Sequence, residues 1–154
     1  MRLAFFEKAR DPLATLGADA DLRDSPRGLG DQRVVDRRAR HNTVDQCIQA
    51  FQERDHFILT VPPEGTRSQV DYWKTGFYHI AHGAGVPIVL GFLDFKRKVG
   101  GLGPAIWTTG DIHADVARIR EFYLDVVGKN PELMSEIRVR PEAAAEVEAR
   151  RAAM

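Results

Sequence analysis

The chain has 154 residues, with 22 basic and 22 acidic side chains, so its formal net charge is +0 and its sequence pI is about 7.0. This balance excludes the general electrostatic attraction that nucleic-acid binding requires, so any anion site has to be local. No stretch approaches the roughly 18 consecutive apolar residues of a membrane-spanning helix, and no signal-peptide pattern begins the chain. We therefore expect one cytoplasmic domain, or a domain bound peripherally to the inner face of the membrane, with no metal or disulfide required.

The first 33 residues of the chain differ from the remainder. Leu3, Phe5 and Phe6 are apolar, but residues 11–31 mix scattered leucines, helix breakers and aspartates without a sustained period. We expect residues 1–33 to form an atypical, irregular segment. Residues 34–140 are then the main domain, and residues 141–154 are an Ala/Glu/Arg-rich tail that is helical or frayed.

Residues 42–54 give the clearest helix prediction, with Asn42 as N-cap. His41 and Asp45 are four residues apart and can meet on one helix face, although capping and solvation explain both without any chemistry. The single cysteine is expected to be a small buried residue, because no activating group adjoins it in sequence. The apolar stripe consists of Val44, Cys47, Ile48 and Phe51.

Residues 56–61, HFILTV, form a short apolar run that ends at two consecutive prolines, which predicts a buried strand. A polar loop, PEGTRS, follows at residues 63–68. Gly65 allows a close backbone turn, and Arg67 offers a planar fork suited to a phosphate. The loop has two interpretations: a phosphate-ester site, or ordinary turn chemistry followed by a solvated arginine.

The downstream pattern predicts a helix at 74–83, an apolar strand at 86–95, a short strand at 105–108 and a helix at 114–127. A basic turn, residues 96–98, lies between the two strands; it is either a solvated hairpin tip or a contact for anionic lipid headgroups. This alternation predicts an α/β domain with helices packed on a mainly parallel sheet, in which the 74–83 helix connects parallel strands.

His79 and His82 fall within the 74–83 helix. We expect both to be packed or surface residues, because neither has a carboxylate spaced to complete a metal site.

The PEGTRS loop after an apolar strand resembles the signature of the glycerolipid acyltransferases, the family that includes 1-acyl-glycerol-3-phosphate acyltransferase. Lys74-x-Gly76 and Val86-Pro87-Ile88-Val89 follow in the family's order. Upstream, Val35-Asp36-Arg37 is similar to the family's arginine block. The resemblance covers about residues 34–140, and PEGTRS is its most specific part.

The resemblance implies transfer of a fatty acyl group from acyl-CoA or acyl carrier protein to the hydroxyl of glycerol phosphate or a lysophospholipid such as lysophosphatidate. It implies no cofactor beyond the acyl thioester substrate. The residues that it assigns to the acceptor-phosphate site are Arg37, Glu64, Gly65, Thr66 and Arg67.

The family's general base is a histidine in a His-x-x-x-x-Asp pair before the arginine block, and this chain has no such pair. Gln32 and Arg33 stand where the family favours glycine, and Leu90 where a second proline is common. We therefore assign no catalytic residue and expect a truncated or altered N-terminus with impaired activity. Two alternatives remain: a non-catalytic phosphate- or lysolipid-binding remnant of the family, or an unrelated α/β phosphate-binding domain.

Overall fold

The computed structural model describes residues 2–8 by their backbone and residues 43–66 and 68–153 with their side chains. These residues form a mixed α/β fold with four strands, four α-helices and one short 3-10 helix. In chain order the elements are β1 (Arg2–Lys8), α1 (Thr43–Glu53), β2 (Phe57–Val61), α2 (Gly76–Ala84), β3 (Ile88–Asp94), β4 (Val99–Ile106), α3 (Ile112–Tyr123), the 3-10 helix (Pro131–Leu133) and α4 (Ala143–Ala152).

The strands form one sheet in the order β2-β1-β3-β4, and all three neighbouring pairs are antiparallel. The prediction of a mainly parallel sheet is therefore wrong for the part of the chain that the structure describes. Strands β2 and β3 run in the same direction with α2 between them in sequence, as expected, but β1 lies between them in space. Its residues belong to the segment predicted to be irregular, and a strand inserted in the opposite direction converts one parallel pair into two antiparallel ones.

Strand β2 is half-buried at the edge of the sheet, whereas the sequence predicted a fully buried strand. Phe57, Leu59 and Val61 pack against the core, while Thr60 and Ile58 point to the other face, where Ile58 is 60% exposed. An apolar residue on the exposed face hides the alternation of a half-buried strand, which explains the error.

Helix α1 buries the predicted stripe, with Cys47, Ile48 and Phe51 in the core. The Phe51 ring meets Phe57 edge-on at 4.7 Å, which connects the helix to β2. Burial also raises the pKa of the Cys47 thiol, so the thiol stays protonated and the prediction of a small buried residue is confirmed.

Helix α3 begins and ends earlier than the pattern predicted. Asp111 caps its N-terminus by accepting from the N–H groups of His113 and Ala114. Beyond the C-terminus, the carbonyl of Asp125 accepts from the Arg97 guanidinium and that of Val127 accepts from the N–H of Phe95. These carbonyls bond to the β3–β4 turn and not within a helix, which is consistent with the helix ending at Tyr123.

A buried carboxylate joins α2, α3 and the segment between β4 and α3. Asp115 is fully buried and accepts from the Tyr78 hydroxyl at 2.8 Å and from the N–H and hydroxyl of Thr109 at 2.7 and 3.1 Å. Its other oxygen lies 3.5 Å from Arg118 Nη1, close enough for charge attraction. Burial raises the pKa of the Tyr78 hydroxyl well above its usual range, and the bond to Asp115 acts in the same direction. The sequence pattern gave no sign of this network.

The C-terminal tail forms helix α4 and packs on the domain. Ala143 and Val147 belong to the core cluster, and Arg150 makes an ion pair with Asp45 of α1. The Asp45 carboxylate is thus paired with Arg150 of α4. His41, its suggested partner, lies outside the described residues. Within the described ranges, no helix is both long and apolar enough to cross a membrane.

Candidate functional site

The PEGTRS loop begins with a tight turn at the end of β2. The N–H of Gly65 donates to the carbonyl of Pro62 at 3.0 Å, and Pro63 at the second turn position is buried. Gly65 has φ of 67°, in the left-handed region. This backbone conformation is by itself a sufficient reason for glycine at position 65.

A lysine lies directly against this glycine. The N–H of Lys74 donates to the carbonyl of Pro63 at 3.0 Å, which holds its backbone beside the turn. A Cβ built on Gly65 would lie 2.9 Å from Lys74 Cε and 3.0 Å from its Nζ. The missing side chain at Gly65 thus gives room for an ammonium group at the loop surface.

Lys74 was absent from the candidate site predicted from the sequence. The signal was present, because Lys74-x-Gly76 contributed to the resemblance, but the pair was interpreted as the opening of a helix. Helix α2 instead begins at Gly76, and the backbone bond from Lys74 to Pro63 places the lysine beside the loop.

The loop forms one side of a half-open cleft of about 950 Å³. Its other sides come from the segment leading into α2, from residues 136–140 and from the first turns of α4. The charged residues lining it are Glu64, Asp71, Lys74, Glu136, Arg138, Arg140 and Glu146; the others are Thr66, Gln69, Val70, Tyr72, Trp73, Thr75 and Gly76.

Three hydrogen bonds connect the segment before α2 to the segment before α4. The N–H of Val70 donates to the Ser135 hydroxyl at 2.9 Å, and the N–H of Trp73 donates to the Arg138 carbonyl at 2.8 Å. Arg138 Nε donates to the Asp71 carbonyl at 2.9 Å. The walls of the cleft are therefore fixed by bonds between residues more than sixty positions apart, which no local pattern predicts.

Arg138 is also held by its surroundings on the cleft wall. Its Nη1 lies 3.4 Å from Glu136, and its guanidinium lies 4.9 Å above the Tyr72 ring. A guanidinium stacked in this way is oriented and partly balanced in charge. Arg140 also lines the cleft, is more exposed than Arg138, and lies 3.9 Å from Glu142.

Glu146 reaches the cleft from α4 and meets two groups of the α2 region. It accepts from the Thr75 hydroxyl at 3.0 Å, and its carboxylate lies 3.8 Å from His79 Nε2. Burial lowers the pKa of His79, while Glu146 acts in the opposite direction. His79 is therefore a packed histidine, as predicted.

The other described histidines in contact with neighbours also have structural partners. His82 stacks on Tyr78 at 6.0 Å, and its Nδ1 lies 3.0 Å from the Thr108 hydroxyl. His113 Nε2 lies 3.3 Å from the Pro141 carbonyl. Among the described residues lining the cleft, none is a histidine.

Three of the five predicted site residues can be located. Glu64, Gly65 and Thr66 lie together on the loop, and the Thr66 hydroxyl accepts from the N–H of Ser68 at 3.2 Å. Arg37 and Arg67 lie outside the described residues, so their convergence on one phosphate stays a prediction.

Comparisons of the chain with protein-family models, with curated proteins and with solved structures found no match. The class defined by the fold and the site is a mixed α/β protein with a polar cleft at the end of a strand.

Proposed function

We propose that this chain is a glycerolipid acyltransferase-like protein whose cleft binds the phosphate of an acyl acceptor. The acceptor is glycerol phosphate or a lysophospholipid, and the acyl donor is an acyl-CoA or acyl carrier protein thioester. The observation that carries the proposal is the Lys74 ammonium against Gly65, at the rim of a cleft that also contains Glu64 and Thr66.

The chemistry of this corner suits a phosphate monoester. Lys74 supplies a point charge with three donors, and the Thr66 hydroxyl supplies another donor on the same loop. Glu64 lines the same cleft, and its carboxylate can accept a hydrogen bond from a hydroxyl of the acceptor. The cleft volume of about 950 Å³ lies within the range of roughly 300–1,000 Å³ typical of small-molecule sites. Arg37 and Arg67 are proposed to complete the anion site.

The acidic groups of the cleft favour a ligand with both phosphate and hydroxyl groups over a bare polyanion. Glu136 is balanced by Arg138, and Glu146 is bonded to Thr75. Glu64 and Asp71 also line the cleft, and carboxylates there repel a second phosphate but can accept hydrogen bonds from hydroxyls. A glycerol backbone with one phosphate meets both conditions.

Acyl transfer forms a carbon–oxygen bond and breaks the thioester carbon–sulfur bond, while the hydroxyl proton passes to a base. A positioned general base typically contributes about 10²- to 10⁴-fold. The sequence has five histidines, and none is followed by an aspartate at the fifth position after it. We therefore propose that turnover is impaired. The same observation favours the second candidate, a non-catalytic phosphate- or lysolipid-binding protein of this family.

The proposal is tested by calorimetric titration with glycerol 3-phosphate, using glycerol as the ligand without phosphate. Loss of a charged hydrogen bond should weaken binding by about tenfold in Lys74→Ala, and the same is expected for Arg67→Ala. Arg120→Ala, on the exposed side of α3, is the matched control for an exposed cation and should bind as the wild type does.

A thioester-consumption assay on the same protein separates the two candidates. Glycerol 3-phosphate binding with turnover identifies the impaired enzyme, and binding without turnover identifies the binding protein. Absence of binding, or equal binding by the wild type and Lys74→Ala, would refute the proposed site.

A further inference from the structure

The end of the β3–β4 hairpin exposes an unusual amount of apolar surface. Nine large apolar side chains are exposed in the described part of the chain, and four of them lie within ten consecutive residues of this hairpin. These four are Leu93, Phe95, Val99 and Leu102, with exposed fractions of 39%, 46%, 51% and 45%. Such clustering marks an interaction surface more than scattered exposed leucines do.

The apolar side chains lie on both faces of the hairpin. Leu93 pairs with Gly100 and Leu102 with Gly91, which places the two leucines on one face. Val99 pairs with Asp94 on the opposite face, the one that packs on α3 further along the hairpin. A flat protein surface would cover only one face of the hairpin. A lipid headgroup layer that the hairpin tip enters would cover both faces.

Gly100 increases the apolar surface on the first face. A Cβ built on Gly100 would lie 2.5 Å from Leu93 Cδ2. The Leu93 side chain therefore lies over Gly100 of β4, and a larger residue at position 100 would displace it.

The tip also carries positive charge. Lys96 and Lys98 are exposed, and Arg97 lies between them. Arg97 is held by Asp94 at 3.2 Å and by the Asp125 carbonyl, so the two lysines are the charges available for an external anion. Asp94 is buried and balanced by Arg97, whereas Asp125 is the exposed acid adjoining the turn.

Hydrogen bonds on both sides of the turn order its backbone. Asp94 Oδ1 accepts from the N–H groups of Lys96 and Arg97 at 2.9 and 3.1 Å, and Phe95 N–H donates to Val127 at 2.8 Å. Lys98 occupies the left-handed region with φ of 57°. A surface already ordered before contact loses little conformational entropy on binding.

We propose that the hairpin tip docks on an anionic lipid bilayer, with Phe95 and Val99 entering the headgroup region and Lys96 and Lys98 contacting anionic headgroups. Three basic residues fall short of the clusters of about four to eight that bind anionic lipids by charge alone. The apolar side chains provide the second attraction that stable peripheral binding requires. This inference does not depend on the proposed function of the cleft.

The test is co-sedimentation of the full chain with vesicles of phosphatidylcholine and phosphatidylglycerol, compared with phosphatidylcholine alone. The double variant Lys96→Gln/Lys98→Asn removes both charges, and asparagine tolerates the left-handed conformation. Binding to anionic vesicles should fall about 30-fold, while Arg120→Gln/Arg151→Gln should bind as the wild type does. Circular dichroism verifies the fold of each variant.

Phe95→Ser tests the apolar contribution, and Leu133→Ser is its matched control because both parent side chains are 46% exposed. We expect Phe95→Ser to bind about tenfold more weakly and Leu133→Ser to be unchanged. The Phe95→Ser deficit should persist in high salt, where charge attraction is screened. Should Phe95→Ser fail to fold, Val99→Ser repeats the test.

Three results would overturn the proposal: no binding to anionic vesicles, equal loss in the control variants, or a dimer in light scattering that Phe95→Ser dissociates. The last result would assign the hairpin to a second copy of the chain. Glycerol 3-phosphate binding should be unchanged in every hairpin variant, so failure here and failure of the cleft proposal are distinguishable.

Discussion

Substitution of Gly65 by alanine should separate the stability of the PEGTRS turn from its ligand chemistry. A non-glycine residue in the left-handed region is destabilised by about 1–2 kcal/mol. Reduced freedom of the unfolded chain offsets this by about 0.4–1 kcal/mol. Gly65 has φ of 67°, so we expect a net loss of about 1 kcal/mol in the free energy of unfolding.

The new methyl group also meets Lys74, but only the end of its side chain. The clashing atoms are Lys74 Cδ, Cε and Nζ, and Lys74 is exposed, so the side chain can move into solvent with little effect on stability. Displacing the ammonium should nevertheless weaken glycerol 3-phosphate binding by about tenfold. Stability and binding should therefore respond differently.

Gly85 provides the matched control. Its φ is 63°, and a Cβ built there has nothing within 4 Å. Urea unfolding followed by the fluorescence of the buried Trp73 should give Gly85→Ala and Gly65→Ala nearly equal destabilisation, whereas calorimetry should give Gly85→Ala wild-type affinity. Undiminished binding by Gly65→Ala, or a destabilisation exceeding that of Gly85→Ala by more than about 2 kcal/mol, would refute this account of Lys74.

Three further predictions concern buried and charged groups. Tyr78→Phe removes a hydrogen bond to the buried carboxylate of Asp115 and should destabilise by about 1.5–3 kcal/mol in urea unfolding; a loss under 0.5 kcal/mol would contradict the network. The N–H of Arg97 is the largest of the contacts that lower the pKa of Asp94. The ionised Asp94 carboxylate therefore stabilises the fold above its ordinary pKa of 3.8, and this stabilisation is lost as the pH falls below that value. Asp94→Asn should flatten that part of the pH–stability curve. Burial lowers the pKa of His79, so its unfolded form binds the proton more readily and stability should fall as pH drops below about 6.5. If the pH–stability curve of His79→Gln matched that of the wild type, His79 would not be the cause of this loss.

The parts of the fold that depend on local pattern were predictable. The stripe of α1 and the basic turn between β3 and β4 follow from the spacing of apolar residues and from glycine and lysine at the turn. Helix α2 ends one residue later than predicted, because Gly85 adopts the left-handed conformation and the N–H of Val86 bonds to the Ala81 carbonyl.

The remaining features depend on contacts distant in sequence. Strand β1 is identified by its two neighbours in the sheet, and its short apolar run next to helix breakers carries no comparable signal alone. The cleft wall at Arg138 likewise exists because Trp73 and Asp71 bond to it across the fold. Of the candidate site, the loop itself was predictable, whereas Lys74 was identified only by its approach to Gly65.

The most direct test of the central claim is a nitrogen-15 NMR titration of the full chain with glycerol 3-phosphate. We predict that the largest shifts occur at the amides of Gly65, Thr66 and Lys74, that glycerol causes none of comparable size, and that Lys74→Ala reduces them. Shifts confined to the β3–β4 turn, or no saturable shifts at any amide, would contradict the assignment of the cleft as an acceptor-phosphate site.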